Sequence, residues 1–371
     1  MEASLMLRKR ILFVASEFAS GMIPFGASII NALADTKDFE VFCLCVNSGK
    51  NTYKPYIKSN ANPVFIEYPK QKIKKIIYKF WPFQIVKAIR RIVAEEHPDI
   101  IHFITGDFTL AYFIRFFKQP GICYTVHDMF PHEVQNFSIL SPLKKWTINK
   151  GYEICRDYAP NLTTSSKEQF ELLKKMYPQK NIGFTNFPTL VTEYIASGKC
   201  VPPEVKCENS YMLFFGNVVD YKGVDLLISA FEKLGDDNGM KLVIAGKGAS
   251  YPIKSSNIIR INRFIDDSEV RKLFEKAKIV VYPYRSATMS GVLSLAFFFK
   301  KRILLSDVAF FRENEADSTT FFKAGDVDDL ADKIQKILAS PCENFDEVYK
   351  QRYSEETMVK SYVSFYGGMS E

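Results

Sequence analysis

What this chain lacks narrows it first. No apolar run approaches the ~20 residues a helix needs to cross a bilayer. No Cys-x-x-Cys pair occurs, and the 4 histidines do not cluster with the 7 cysteines at zinc spacing. Free buried thiols in a reducing cytoplasm are the simplest account of an odd cysteine count. No Gly-x-Gly-x-x-Gly opens the first helix, which sets aside a Rossmann dehydrogenase. Repeats of solenoid period and low-complexity tracts are missing too. Arg8-Lys9-Arg10 and the apolar residues after it mimic a signal peptide, but Glu17 interrupts the run too soon. Residues 10–16 therefore read as the first strand of a fold.

What is there is an ordinary globular composition: 371 residues, 47% hydrophobic and 25% charged, enough for two domains. The net charge of +7 is uneven. Residues 1–190 hold 25 Lys and Arg against 16 Asp and Glu, or +9; the remainder holds 24 against 26, or −2. The first half favours an acidic partner.

Strand patterns at residues 10–16, 39–46, 63–68, 100–104, 122–126, 162–165 and 181–185 alternate with helical ones. The helical patterns lie at 27–35, 70–80, 82–96, 107–117, 143–156 and 167–176. This alternation predicts a doubly wound α/β sheet. Residues 187–209 lack periodicity and read as a connection between domains. A second α/β unit follows to about residue 338, and residues 354–365 offer a last helix. Two such units usually enclose a cleft, with a donor on one side and an acceptor on the other.

The second unit is the more informative. A strand over 211–215 breaks at Gly216, and Lys222-Gly223 precedes a helical pattern. A strand over 241–245 ends in Gly246-Lys247-Gly248. A third, over 279–284, leads through Thr288-Met289-Ser290-Gly291 into an apolar helix. Helices that start at glycine-rich strand ends offer free N–H groups and a positive dipole end, where phosphate is the usual guest. A lysine at a helix start opposes the dipole unless an anion intervenes, so Lys222 points the same way.

The ordered set Phe214-Phe215-Gly216-x5-Lys222-Gly223, Ala245-Gly246-Lys247-Gly248, Tyr282-Pro283-Tyr284-x5-Ser290-Gly291 and Arg302–Val308 resembles the retaining GT-B glycosyltransferases of family 4, the glycosyl transferases group 1. Glu17-x3-Gly21-x4-Gly26 is similar to that family's first glycine-rich loop, and Thr125-Val126-His127-Asp128 to its active-site histidine segment. The resemblance implies two Rossmann-like doubly wound parallel-sheet domains facing a cleft: residues 1–190 for the acceptor, 191–353 for the nucleotide sugar, and a helix over 354–371 crossing back to the first domain. It implies catalytic roles for His127 and Lys222. It implies donor contacts from Gly21, Gly26, Gly216, Asn217, Lys222, Gly246, Phe264, Ile265, Thr288, Ser290, Gly291 and Val292. No metal and no resident cofactor are called for, the nucleotide-diphosphate sugar being a co-substrate. The sequence departs from the family in three ways. Asn217 stands where an arginine is usual. Ala287 and Leu295 stand where two glutamates are usual. Ala309 replaces a glycine.

The expected activity is transfer of a sugar to a glycan or lipid-linked saccharide in surface polysaccharide synthesis. The alternatives are a degenerate GT-B protein that binds nucleotide sugar or scaffolds an assembly, and a GT-B nucleotide-sugar epimerase.

A second region stands out. Ile73, Ile76, Ile77 and Phe80 share one helical face, and a proline after Trp81 starts a second helix with Ile85, Val86, Ile89, Ile92 and Val93 on one side. Lys74, Lys75, Lys79, Trp81, Arg90 and Arg91 would form a patch on an anionic membrane or acceptor; packing of both apolar stripes on the sheet is the equal alternative. Nucleic acid is not expected, since no binding module is recognised. The location implied is the cytoplasm, with peripheral contact at the inner face of the membrane.

Overall fold

The computed structural model describes residues 8–17, 21–49, 51–105, 110–117, 121–129, 141–235, 239–339 and 346–369. The side chains of residues 79, 80, 141–145 and 346 lie outside that description. The chain divides into two compact units: Met1–Pro188 with Glu355–Glu371, and Thr189–Ser354.

The first unit runs β1 (Lys9–Ala15), α1 (Met22–Ala34), β2 (Phe39–Asn47), β3 (Pro63–Glu67), α2 (Lys72–Phe80), α3 (Phe83–Glu96), β4 (Ile100–Phe103), α4 (Ala111–Ile114), β5 (Gly121–Thr125), α5 (Ser141–Tyr158), β6 (Asn161–Thr164), α6 (Lys167–Met176) and β7 (Asn181–Phe184). All pairs are parallel, in the order β3-β2-β1-β4-β5-β6-β7. The short apolar runs became strands because both faces are covered, as β1 shows, with Ile11 to Ala15 all at 0% exposure. Each such Ile, Leu or Phe contributes about 1.5–3 kcal/mol by leaving water.

The second unit continues with α7 (Glu193–Ser197), β8 (Tyr211–Phe215), α8 (Val224–Lys233), β9 (Leu242–Ala245), β10 (Ile258–Ile261), α9 (Asp267–Lys276), β11 (Ala277–Tyr282), α10 (Val292–Phe298), β12 (Arg302–Ser306), α11 (Ala309–Glu313), β13 (Thr319–Phe322), α12 (Val327–Ala339) and α13 (Asp346–Tyr353). Its strands are again parallel, ordered β10-β9-β8-β11-β12-β13. The last helix, α14 (Glu355–Gly367), belongs to the first unit. Its Phe365 ring fills the space over Gly183 of β7, where an added Cβ would lie 2.2 Å from Phe365 Cδ2.

Two sequence expectations change. Residues 187–209 are not a bare connection: from Thr189 they are part of the second unit. Thr192 caps α7 by accepting from the Ile195 N–H, and the Cys200 N–H donates to the Ser268 carbonyl. Five helical residues are too few to print a period. The glycine-rich loop expected over Gly21–Gly26 is instead mostly helix, since α1 starts at Met22 and Gly26 lies inside it. Pro24 is tolerated because it stands in the first turn, where the N–H has no helical partner to lose. Gly26 serves packing, its Cα side lying against the Tyr53 ring, whose hydroxyl donates to the Glu17 carbonyl at 2.8 Å.

Candidate functional site

Both sheets reverse their strand order at one point, between β1 and β4 in the first unit and between β8 and β11 in the second. Ligands of open α/β sheets bind outside the carboxyl ends of the strands at such a point. In the second unit the loops leaving β8 and β11 carry Lys222 and Ser290-Gly291 respectively, so the topology brings the two halves of the sequence motif to one place.

The contacts are specific. The Lys222 Nζ lies 5.3 Å from the centroid of Tyr284 and 6.0 Å from that of Tyr221. A Cβ added to Gly216 would stand 3.2 Å from that Nζ and 3.8 Å from Val292 Cγ1. Gly246, at the end of β9, presses its Cα side on the Gly216 carbonyl, 2.1 Å from where a Cβ would be. Gly216, Lys222, Gly246 and Val292 are thus brought together. Lys222 is half-buried, and burial lowers its pKa below the usual lysine value, against a small opposing effect of Tyr221. No carboxylate is paired with it among the described residues. A partly desolvated ammonium without a counter-ion favours an anion.

The turn that presents Lys222 is held by residues that sequence reasoning missed. Arg285, just past β11, donates twice to Asp225 of α8, at 2.9 and 2.5 Å, and once to the Asp220 carbonyl at 2.7 Å. The Arg285 N–H donates to the Tyr221 carbonyl at 2.7 Å. An arginine and an aspartate 60 positions apart leave no local pattern to read. Gly223, at φ +63°, starts α8, which has no side-chain cap.

Asn217 is exposed beside the β8 end. Phe264 is 63% exposed and Ile265 is buried, both following β10, two strands from β8. The preceding Arg263 is locked to Glu204 and Glu269 by four hydrogen bonds of 2.7–3.0 Å, which hold the loop carrying Phe264. Thr288 and Ser290 lie in the loop before α10, and Gly291 is the residue preceding that helix. Leu295, at one position where the resemblance would place a glutamate, is 3% exposed and part of the core. Asp326-Val327-Asp328 spells Asp-x-Asp, yet Asp326 Oδ1 accepts from the N–H groups of Asp328 and Asp329 and so caps α12. Among the described residues no group of three or more His, Cys, Asp or Glu is placed to hold a metal.

In the first unit His127 follows β5. Its Nε2 lies 2.9 Å from the Ile104 carbonyl, which can only accept, so Nε2 carries the proton and Nδ1 is the acceptor of the neutral ring. Burial lowers its pKa, although the Ile104 carbonyl and Asp128 pull it up. Phe25 meets the ring edge-on at 4.8 Å. Gln169 of α6 clamps this segment, donating to the His127 carbonyl at 2.9 Å and accepting from the Met129 N–H at 2.8 Å. No motif announced that role. His102 of β4 is fully buried between Tyr366 and Thr125.

The basic patch divides. The apolar face of α3 packs into the core through Ile85, Val86, Ile89 and Ile92, leaving Arg90 and Arg91 outside. The apolar face of α2 does not: Ile73, Ile76 and Ile77 are exposed along with Lys74, Lys75 and Trp81. Packing of both stripes on the sheet is therefore ruled out for α2. The Lys79 side chain lies outside the described residues.

No curated protein matches the sequence significantly. Among solved structures, sucrose-phosphate synthase from Thermosynechococcus elongatus is similar at a TM-score of 0.69 and 14% identity, over 97% of this chain and 98% of that one. HepE from Anabaena, in complex with UDP and glucose, gives 0.67 at 14% identity, over 97% and 100%. A putative UDP-N-acetylglucosamine 2-epimerase from Listeria monocytogenes gives 0.63 at 12%, over 96% and 95%. Together with the two parallel sheets, these likenesses establish a GT-B fold of two Rossmann-like domains. Residues 209–340, the stretch that carries Gly216, Lys222, Gly246 and Ser290, match the family model of the Glycosyl transferases group 1.

Proposed function

We propose that the chain is a glycosyltransferase. It takes a sugar from a nucleotide-diphosphate sugar and passes it, with retention of anomeric configuration, to a hydroxyl of a glycan or lipid-linked saccharide. The setting is surface polysaccharide synthesis in the cytoplasm. The observation that carries this reading is the Lys222 ammonium, half-buried, lacking a carboxylate among the described residues, and standing at the strand-order reversal of the second sheet.

As the bond from the anomeric carbon to the diphosphate breaks, negative charge grows on the departing oxygen. Lys222 meets that charge, and the N–H groups at the start of α8 add to it. The Ser290–Val292 segment, with Thr288 before it, closes round the phosphates. Asn217 offers hydrogen bonds in place of the usual arginine. Backbone groups beside Phe264 and Ile265 read the base. In the first unit the Nδ1 of His127 accepts a hydrogen bond from a sugar or acceptor hydroxyl. The charge is met by protein groups alone, so the reading needs no resident metal or cofactor.

The test is a panel of UDP-, GDP- and ADP-sugars with and without a lipid-linked saccharide extract, products being read by mass spectrometry. Acceptor-dependent release of nucleoside diphosphate is expected from one donor. Absence of both binding and release for every donor would sink the assignment. The epimerase likeness supports a second reading, in which a donor is interconverted without an acceptor. Tight donor binding without turnover would instead mark a scaffold, as the apolar Ala287 and buried Leu295 would suit.

A further inference from the structure

Helix α2 wears its apolar face outward. Ile73 is 74% exposed, Ile76 58% and Ile77 57%. Trp81 (61%) and Phe83 (62%) continue the strip at the helix end. Trp81 meets Phe113 edge-on at 5.9 Å, and Phe113 lies 6.3 Å from the half-exposed Phe116, so aromatic surface extends onto the segment after α4. A contiguous apolar strip of this kind on a folded surface marks a contact site.

The helix is held from its other side. At about 100° per residue, Tyr78 lies nearly opposite the isoleucine stripe. It is 6% exposed, and its ring packs edge-on against Tyr68 at 4.9 Å. The same spacing puts Lys72 and Lys74 on the two flanks of the stripe. A helix anchored by one buried tyrosine, with isoleucines outward and a lysine on either flank, has the geometry of one lying in the plane of a bilayer surface.

Charge selects the partner. Between Glu67 and Glu95 there are eight lysines and arginines and no carboxylate. Of those with described side chains only Arg91 forms an ion pair among the described residues, with Glu95 at 3.8 Å, while Lys70 stands near enough to Glu67 to interact with its charge. A second copy would bring this cationic strip against itself. A nucleic-acid backbone would leave the isoleucines without apolar contact. We propose that α2, with Trp81 and Phe83, docks the protein on an anionic lipid bilayer: isoleucines among the acyl chains, Lys72 and Lys74 at the phosphates, and Trp81 at headgroup depth.

The docking is independent of the donor assignment, and a Lys222→Ala variant should bind vesicles like the parent. The chain has 2 tryptophans, so a Trp146→Phe background makes Trp81 the sole reporter. With vesicles of phosphatidylcholine containing phosphatidylglycerol, the protein should co-sediment and Trp81 emission should shift to the blue; phosphatidylcholine alone should do neither. The triple change Ile73→Ser, Ile76→Ser, Ile77→Ser keeps every charge and touches only exposed positions. It should lower partitioning at least about tenfold. Lys72→Glu with Lys74→Glu should do the same. Unchanged partitioning of the triple variant, or unshifted Trp81 emission, overturns the proposal. So does a concentration-dependent dimer, or binding to RNA, that the triple variant abolishes while vesicles are ignored.

Discussion

The Lys222 ammonium stands 5.3 Å from the centroid of the Tyr284 ring, and Tyr284 is 1% exposed. A cation over an aromatic face gains about 0.5–2 kcal/mol, which offsets part of the hydration that Lys222 loses. The ring is fixed by its contacts with Tyr221, Tyr282 and Phe311, at 5.1–6.0 Å between centroids. The position of the charge is therefore set before any ligand arrives.

Removing that charge should affect chemistry more than folding. Lys222→Ala is expected to lower kcat/KM by about 10²–10³-fold, the range for deleting a preorganised group that meets developing charge. Its thermal midpoint should stay near the parent's, since a partly desolvated unpaired cation contributes little stability. Steady-state kinetics beside a melting curve would check both halves.

Gly223→Ala should be costly in a way that Gly235→Ala is not. Both glycines have positive φ, +63° and +77°. A Cβ at Gly223 would stand 2.0 Å from the Pro283 carbonyl oxygen, whereas nothing lies within 4 Å at Gly235. The first change should cost at least about 2–3 kcal/mol of stability and disturb donor binding. The second should cost about 1 kcal/mol, the penalty of a left-handed alanine. Urea denaturation of the pair gives the comparison.

Stability should fall on mild acidification. Burial lowers the His102 pKa from 6.5 to about 3, the His127 charge adding to the effect. Burial lowers that of His127 as well. The unfolded chain then binds protons that the folded one refuses, so stability rises with pH from about 3 to about 6.5 and levels off above. His102 adds a slope of up to about 1.4 kcal/mol per pH unit within that window, and His127 acts in the same direction. Urea midpoints at about pH 7, 6 and 5 should decline in order. His102→Gln should be less stable at pH 7, losing its bonds to Tyr366 and Thr125, and should show a shallower decline.

The strands were legible because short β-branched and aromatic runs between glycines and prolines have few alternatives; β1 and β8 begin and end within a residue of their patterns. Lys222 and Gly223 were legible for a related reason, since a lysine at a helix start is anomalous by itself. Glycines misled at Gly26, where small size serves packing on Tyr53 and not loop freedom, and at Gly21, which already has a helical backbone at the start of α1. The period of α2 showed an amphipathic helix but not which way it faces, since a stripe toward the core and one toward a partner have the same spacing. Gln169, Arg285 and Asp225 left no trace, because their roles come from partners 42 and 60 positions away.

The second unit is one unbroken stretch, whereas the first takes its closing helix from residues 355–367. Tyr366 of that helix reaches His102, and the Lys9 ammonium donates to the Tyr366 carbonyl at 3.0 Å. On the ribosome, then, the later-made body can settle while the earlier one still waits for its missing piece. Nascent chains arrested before residue 355 should be the species that chaperones hold.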